Sequence, residues 1–359
     1  MDKYSWNDTW GQIDWGHDCK TKVKKTINEL HRAGVNLNMM DYKGEKAPIH
    51  YIAEYYPSDV LALLLTCGAL SALRAKDDLI ALHYAVKGNK PENIKILLKY
   101  GVTGIERSKD KWGRTALDFA ANAKMTDIVK ILCDFNPNLA NMQNNYGWTA
   151  LHYAAFHSEE EMLKYLIELG ADLNIKTAKG KTPLNCATKV NWFESNIIRM
   201  LIENGADVTG QADALNWAIR VKDKKMFETL LERGAVPNEN TLIEAVNREQ
   251  LQMLKLVLDK HPEIINLHED SPLAHTALHE AVILNDPKFV KVLLERGADV
   301  NALDSVGRTP FYMATKKSQN PEVIKLLQKA DKIRAKYLKP KALTKHNGVT
   351  KSDTDKQHE

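Results

Sequence analysis

Several features that would indicate other protein classes are missing from this sequence of 359 residues. It has no run of about 18 apolar residues, so no transmembrane helix is expected. The N-terminal residues lack the apolar stretch of a secretory signal, so we expect no leader peptide. The few cysteines form no Cys-x-x-Cys pair, which argues against a zinc site and a disulfide framework. We therefore expect reduced, mostly buried thiols in a cytoplasmic protein. The four cysteines are Cys19, Cys67, Cys133 and Cys186.

Motifs of nucleotide-binding and hydrolytic enzymes are also missing. No G-x-x-x-x-G-K-[ST], G-x-G-x-x-G, H-E-x-x-H or G-x-S-x-G occurs in the chain. His17 and Cys19 are close in sequence and have the chemistry of a base and a nucleophile, but no third group is placed to orient them. We expect no enzyme, no cofactor and no small-molecule substrate. An unrecognised site near these two residues is the alternative, and thiol labelling of Cys19 tests it.

The body of the chain carries almost no net charge. Of the 50 basic and 46 acidic residues, nine basic and four acidic ones lie within 329–359, which leaves 41 and 42 in the rest. The body therefore gives no reason to expect nucleic acid. We interpret the tail as a solvated, disordered segment. A nucleic-acid-associated factor that acts through this tail is an alternative hypothesis.

What the sequence does contain is a repeat. A short motif with one central apolar residue recurs nine times, with spacings from 27 to 36 and a mean near 33. The central residues are Ile49, Leu82, Leu117, Leu151, Leu184, Leu215, Leu242, Leu278 and Phe311. A second motif follows at a fixed offset, as in 166–174 and 293–301. Nine copies predict a stack of similar units that share one continuous core.

Each unit has the signals of a helical hairpin. Thr149 is placed to cap a first helix, and Pro183 stands where a missing N–H costs nothing. The second helix has a wide apolar stripe, and Gly170 ends it with a left-handed backbone. The segment 110–113 has the form Asp-x-x-Gly, which predicts a tight turn before the next cap.

These motifs resemble those of the ankyrin-repeat family, whose pattern is Thr-Pro-Leu-His-x-Ala at a period of 33. The resemblance runs from about Cys19 to about Ala330. It implies an all-α solenoid of about nine helix-turn-helix repeats with β-hairpin fingers, preceded by an N-terminal half-repeat cap.

The organisation along the chain follows from the repeat. We expect a Trp-rich segment at 1–18, the capping half-repeat at 19–44, repeats one to nine at 45–330, and the end of the last helix with a disordered basic tail at 331–359. The three tryptophans of the first segment are interpreted as rings that seal the end of the stack, with a docking peptide as the alternative. They are Trp6, Trp10 and Trp15.

The repeats are not uniform. Repeats six and seven lack the Asp-x-x-Gly turn, so short fingers are expected there. Repeat five carries an insertion at 191–194 between its helices. Asn174 and Asn301 resemble asparagines that are hydroxylated in some ankyrin proteins, and we interpret both as structural residues of the loop.

A histidine recurs at one position of the motif. Equivalent positions in a helix stack are roughly 10 Å apart, which is too far for shared metal ligation, so no metal site is expected. We predict instead that these side chains hydrogen-bond backbone groups across repeats. They are His50, His83, His152 and His279.

The predicted function is a non-catalytic protein–protein interaction module or adaptor. The resemblance implies that a partner contacts the concave face, the finger tips and the exposed ends of first helices. Aromatic and basic residues cluster there in repeats three to five, and such residue types are common in binding hot spots. We expect a partner segment with acidic and apolar groups, and the alternative is that the rings pack along neighbouring fingers. The candidate residues are Tyr55, Lys111, Trp112, Arg114, Tyr146, Trp148, Phe156, His157, Lys179 and Lys181.

A bacterial or viral effector that engages a host protein is a second hypothesis. The irregular repeats, the insertion and the basic tail agree with it. We expect a monomer whose partner is a protein that the sequence does not identify, because the repeats encode the scaffold and surface residues the specificity.

Overall fold

The computed structural model describes most of the chain, in stretches separated by short gaps. The described residues are 10, 13–14, 18–41, 43–101, 104–190, 196–269, 272–318 and 320–338. They belong to two compact units, Met1–Val236 and Pro237–Glu359. The insertion predicted at 191–194 and the tail from 339 onwards lie outside the described residues.

The described residues of the first unit contain a single α-helix, α1 (Lys20–Arg32), followed by six pairs of α-helices. The pairs are α2 (Pro48–Tyr55) with α3 (Ser58–Thr66), α4 (Ala81–Lys87) with α5 (Pro91–Tyr100), α6 (Ala116–Asn122) with α7 (Thr126–Phe135), α8 (Ala150–His157) with α9 (Glu160–Glu168), α10 (Pro183–Val190) with α11 (Asn196–Glu203), and α12 (Ala212–Arg220) with α13 (Lys224–Glu232). First helices pack on first helices and second helices on second helices, from α2 to α12 and from α1 to α11. The unit is a two-layer stack.

The described residues of the second unit contain three further pairs, and within this unit first helices again pack on first helices and second helices on second helices. The pairs are α14 (Glu239–Asn247) with α15 (Leu251–Lys260), α16 (Ala277–Leu284) with α17 (Pro287–Glu295), and α18 (Pro310–Met313) with α19 (Pro321–Leu338). In the part of the chain that the structure describes, one lone helix and nine pairs confirm the predicted all-α repeat fold with its half-repeat before the first pair.

The central apolar residues of repeats one to eight form the core, and each is at most 2% exposed. Phe311 of repeat nine differs, with 36% of its surface exposed. Its helix α18 is only four residues long and gives way to a π-type turn at Ala314–Ser318, and Pro310 and Met313 are buried instead. The terminal repeat therefore covers the stack with a different set of side chains.

The repeated histidine joins each first helix to the following repeat. In repeat four, Nδ1 of His152 accepts the Thr149 N–H at 3.2 Å, and Nε2 donates to the Lys181 carbonyl at 3.1 Å. Nε2 carries the proton because the backbone N–H at Nδ1 can only donate. The same Nε2 contact joins His50 to Leu73, His83 to Arg114 and His279 to Arg308. The predicted bonds to backbone across repeats are confirmed.

The fingers are turns rather than β-hairpins, and the described residues contain no strand. In repeat three the Asp110 N–H donates to the Arg114 carbonyl at 2.9 Å, and the Gly113 N–H donates back to Asp110 at 2.9 Å. Neighbouring fingers share one backbone bond each, such as Asn145 N–H to the Trp112 carbonyl at 3.2 Å. A single bond per pair does not make a ladder, because strands need successive paired residues.

Two finger glycines lie directly against the next finger. A Cβ on Gly147 would be 2.6 Å from the Ala178 nitrogen, and one on Gly113 would be 2.8 Å from the Asn145 nitrogen. Both glycines have φ of +75°. Gly180 has a similar φ of +73° with nothing within 4 Å. The first two positions therefore need glycine for spacing as well as for backbone conformation.

Repeat six has the short finger that its sequence predicts. Only residues 204–211 separate α11 from α12, against 169–182 between α9 and α10. In the N-terminal segment Trp10 is fully buried, as expected for a ring that covers the end of the stack. Trp6 and Trp15 lie outside the described residues.

Gly147→Ala should destabilise the protein more than Gly180→Ala. Both substitutions place alanine in a left-handed conformation, which costs about 1–2 kcal/mol. Only the first also forces a Cβ against the backbone of the next finger, and overpacking adds about 1–3 kcal/mol. Urea unfolding of the two variants measures the difference. Equal losses would contradict the close approach of fingers four and five.

Acid should weaken the fold through the repeated histidines. Burial is the largest cause that lowers the pKa of His50 and of His83 to about 4. Below about 6.5 the unfolded chain takes up protons that the folded chain excludes, so stability is full above pH 6.5 and falls as the pH drops towards 4. The loss is about 1 kcal/mol per histidine at pH 5.5.

His83→Asn isolates this contribution. Asn185 shows that asparagine at this position still caps its helix, since its Oδ1 accepts the Thr182 N–H at 3.0 Å. The variant should be less stable at pH 7 but lose less between pH 7 and 5.5 than the wild type. His31→Asn, at an exposed histidine, is the control and should keep the wild-type slope. An unchanged slope in the His83 variant would refute this account.

Candidate partner-binding surface

All ten predicted binding residues lie in the first unit, and together they are named the aromatic–basic surface. Three are on the finger of repeat three, two on that of repeat four and two on that of repeat five. Phe156 and His157 end helix α8, and Tyr55 ends α2 with 45% of its surface exposed. Among the described residues no hydrogen bond, ion pair or ring contact joins Tyr55 to the other nine, so the structure brings together only the part in repeats three to five.

In the finger of repeat three, two cationic side chains lie beside the tryptophan ring of the same finger. The Lys111 ammonium lies 4.2 Å and the Arg114 guanidinium 4.6 Å from the Trp112 ring centre. Both cations are also paired with carboxylates, Lys111 with Asp77 at 2.5 Å and Arg114 with Asp110 at 2.8 Å. The positive charge of this finger is therefore largely neutralised by the protein itself, and the half-buried Trp112 ring is held in place.

The finger of repeat four begins an aromatic cluster. The Trp148 ring centre lies 4.9 Å from that of Tyr153 and 5.7 Å from that of Phe156, in tilted and edge-on arrangements. Phe156 in turn lies 5.1 Å from His157. Phe156 is 39% exposed, and Tyr146 at the finger tip is 57% exposed. Among the described residues, the ring contacts of this cluster lie within repeat four, and Phe156 and Tyr146 are left partly open to solvent.

Tyr153 is a member of this cluster that sequence reasoning missed. Its hydroxyl accepts a hydrogen bond from the Asn144 side chain at 3.0 Å, and burial raises its pKa to about 12. The sequence feature that could have identified Tyr153 is the aromatic residue that follows the repeated histidine position. Tyr51, Tyr84 and Phe119 occupy the same position in repeats one to three.

His157 contributes no charge at neutral pH. Burial, and then the nearby Lys124, lower its pKa below the usual value. Its Nε2 lies 3.3 Å from Oδ1 of Asn122 in the preceding repeat. The residue therefore acts as a neutral, polar edge of the aromatic cluster.

The finger of repeat five supplies free positive charge. Lys179 is exposed and Lys181 is half-buried. Within the described part of the chain, no carboxylate lies within salt-bridge distance of either ammonium. These two lysines, rather than Lys111 and Arg114, are the cations that remain available to a partner.

The described residues of this surface contain no cluster of histidine, cysteine and carboxylate groups close enough to ligate a metal. A cluster of this type is found in the second unit, at Glu269, His275 and Glu280. For the alternative enzyme site, Cys19 is exposed, and His17 lies outside the described residues.

Comparison with known proteins agrees with this architecture. A family model described as ankyrin repeats in three copies matches residues 100–177, 169–241 and 242–337. The chain belongs to the ankyrin-repeat family. Ankyrin repeats generally mediate protein–protein interaction and are in general non-catalytic. No helix within the described residues of this ankyrin-repeat protein is long and apolar enough to cross a membrane.

Curated relatives come from viruses, bacteria and eukaryotes. The chain is 28% identical to an ankyrin repeat protein of fowlpox virus over 263 residues, which cover 71% of this chain and 45% of that protein. It is 24% identical to the human transient receptor potential cation channel subfamily A member 1 over 287 residues, 78% of this chain and 23% of the channel. An ankyrin repeat protein of Rickettsia felis is 25% identical over 310 residues, 76% and 79% of the two chains. The chain spans less than half of the first two relatives.

Trp148→Ala should destabilise this ankyrin-repeat protein by about 2 kcal/mol, because the ring packs on two aromatic neighbours and each such pair contributes about 0.5–1.5 kcal/mol. Trp112→Ala should cost less, since its ring contacts flexible cationic side chains on a turn. Thermal unfolding of both variants measures the difference. A larger loss for Trp112→Ala would contradict the packing described for repeat four.

Proposed function

We propose that this protein is a non-catalytic adaptor that binds a protein segment bearing acidic and apolar groups through the aromatic–basic surface. The observation that carries the proposal is the juxtaposition, in adjacent repeats, of exposed aromatic rings and unpaired lysines. Tyr146 and Phe156 offer apolar surface, and Lys179 and Lys181 offer charge that no described carboxylate neutralises. A polar rim beside an aromatic core is the usual anatomy of a protein interface.

The fingers of repeats four and five have different roles in the proposed recognition. The rings of repeat four are rigid because they pack on one another, so little side-chain entropy is lost when they are covered. The lysines of repeat five attract acidic groups at a distance and fix the orientation of the partner. Tyr55 and the finger of repeat three extend the proposed contact towards the N-terminal repeats.

Charge reversal tests this proposal. The variant Lys179→Glu/Lys181→Glu should bind partners that the wild type captures from a lysate at least about tenfold more weakly, because attraction becomes repulsion. The matched control is Lys95→Glu/Lys164→Glu, which makes the same charge change on exposed second helices of the same unit. Affinities of purified partners, measured at two salt concentrations, give the result.

Trp112→Ala tests the aromatic side of the same surface. Wild-type affinity in both the folded tryptophan variant and the charge-reversal variant would refute the proposal. Loss of binding in the Lys95/Lys164 control alone would place the interface on the second helices instead.

A second candidate function is an effector that engages a host protein. The matches to fowlpox virus and Rickettsia felis proteins favour it, and the binding surface would be the same. Under either function we propose a monomer that acts in the cytoplasm without a small-molecule substrate. The basic tail, on which a nucleic-acid role would depend, lies outside the described residues.

A further inference from the structure

Three positions meet at the base of most fingers. The first position is the residue that opens the finger, and its backbone N–H donates to the carbonyl of the second position, which is the residue just before the helix cap. The third position is on the first helix, five residues after the second. In repeat three these are Asp110, Arg114 and Phe119. The guanidinium of Arg114 pairs with Asp110 at 2.8 Å and lies 4.4 Å from the Phe119 ring centre. The Arg114 guanidinium therefore contacts both of the other side chains.

Repeat one has the same arrangement. Asp41 N–H donates to the Lys46 carbonyl at 2.7 Å, and the Tyr51 hydroxyl donates to the Asp41 carboxylate at 3.0 Å. The Lys46 ammonium lies 5.0 Å from the Tyr51 ring centre. An acid, a cation and an aromatic ring therefore fill the three positions in both repeats.

Repeat eight replaces this set with three groups that can ligate a metal. Glu269 N–H donates to the His275 carbonyl at 2.8 Å, so these residues hold the first two positions. Glu280, five residues after His275, holds the third, where repeats one and three have aromatic rings. One ligand atom from each side chain lies within 4.8 Å of the other two. The family's finger geometry thus brings a histidine and two carboxylates together.

The imidazole of His275 is buried, with 3% of its surface exposed. Its Nδ1 lies 2.5 Å from Oε1 of Glu280. Its Nε2 is buried without a hydrogen-bond partner in the described structure, and Oδ2 of Asp304 lies 3.7 Å away. When the Nδ1 proton is donated to Glu280, a bare Nε2 faces a second carboxylate, which is an unfavourable arrangement for a buried polar atom.

A divalent cation bound to Nδ1 of His275 removes this unfavourable contact between Nε2 and the Asp304 carboxylate. Ligation requires an unprotonated Nδ1, so the imidazole proton moves to Nε2, which then faces Asp304 as donor to acceptor. A carboxylate behind the second nitrogen is the usual support of a metal-bound histidine. Asp304 is held for this role, because its Oδ1 accepts the Val306 and Arg308 N–H groups and its Oδ2 accepts from the Arg308 side chain at 2.7 Å.

We propose that Glu269, His275 and Glu280 bind a divalent transition-metal ion, with Zn²⁺ as the best match. One imidazole and two carboxylates are ligands that zinc accepts, at about 2.0–2.2 Å. Tetrahedral ligation at such distances separates ligand atoms by about 3.3 Å, so the Nδ1–Oε1 pair opens slightly on binding. The ion joins the finger of repeat eight to helix α16, in place of the acid–cation pair of other repeats.

Metal titration of the full chain tests the proposal. After treatment with a chelator, the protein should bind Zn²⁺ saturably in calorimetry, and Co²⁺ should give the visible absorption of a site with low coordination number. Binding should also raise the thermal unfolding temperature, since the ion binds the folded state. The chain has 12 histidines and four cysteines, so variants must identify the site.

His275→Asn and Glu280→Gln should each weaken this binding by at least about tenfold and abolish the cobalt spectrum. The controls make the same changes elsewhere in the unit. His261→Asn removes an imidazole that also lies near a carboxylate, Glu263 at 3.1 Å, and Glu295→Gln removes an exposed carboxylate. Both controls should bind as the wild type does.

Unchanged zinc affinity and cobalt spectrum in the folded Glu280→Gln and Glu269→Gln variants would overturn the proposal. No binding by the wild type would also overturn it. The two glutamate variants keep the side-chain size, so they carry the test if His275→Asn does not fold.

Discussion

The neutral imidazole at the start of the first helix is the interaction on which the repeat stack depends. It accepts a backbone N–H at its own helix cap and donates to a carbonyl in the next repeat, so one side chain fixes both the helix and its neighbour. The first bond requires an unprotonated Nδ1 and therefore an uncharged ring, and burial keeps the ring uncharged. In repeats three and five the histidine is replaced by Asp118 and Asn185, and both side chains still accept a backbone N–H at the helix cap. The contact with the next repeat changes, since Asp118 accepts a hydrogen bond from the Asn144 side chain.

This contact sets the spacing of the fingers. Because the first helices that carry this histidine are tied to the backbone of the following repeat, neighbouring fingers lie close enough for one backbone bond between them. The approach leaves no room for a Cβ at Gly147 or Gly113. It also places the three side chains at each finger base within reach of one another, so what those positions hold decides whether a finger is neutral, cationic or able to ligate a metal.

Most of the fold could be predicted from the sequence because it depends on local signals and on period. The helix caps, the glycines that end the second helices and the apolar core positions such as Leu151 recur from repeat to repeat. The assignment of each repeat is therefore supported by the others. Two details of the structure depart from the regular repeat, because one residue type can have more than one structural outcome. The Asp-x-x-Gly turn did not extend into strands, since one bond per finger is insufficient. Phe311 has the apolar character of a core residue, but the short helix α18 leaves it partly exposed.

The candidate surface was only partly predictable, because charge is decided by neighbours that are distant in sequence. Lys111 is neutralised by Asp77 of the preceding finger, whereas no described acid reaches Lys179. The same limit hid the cluster of repeat eight, since Glu269 and Glu280 stand eleven positions apart and neither falls in a metal-binding motif. Only a comparison of equivalent finger positions between repeats shows that these two glutamates belong to one cluster. In a repeat protein, function is therefore best sought where a repeat changes several contacting positions at once, because such changes cost the scaffold stability that a ligand can restore.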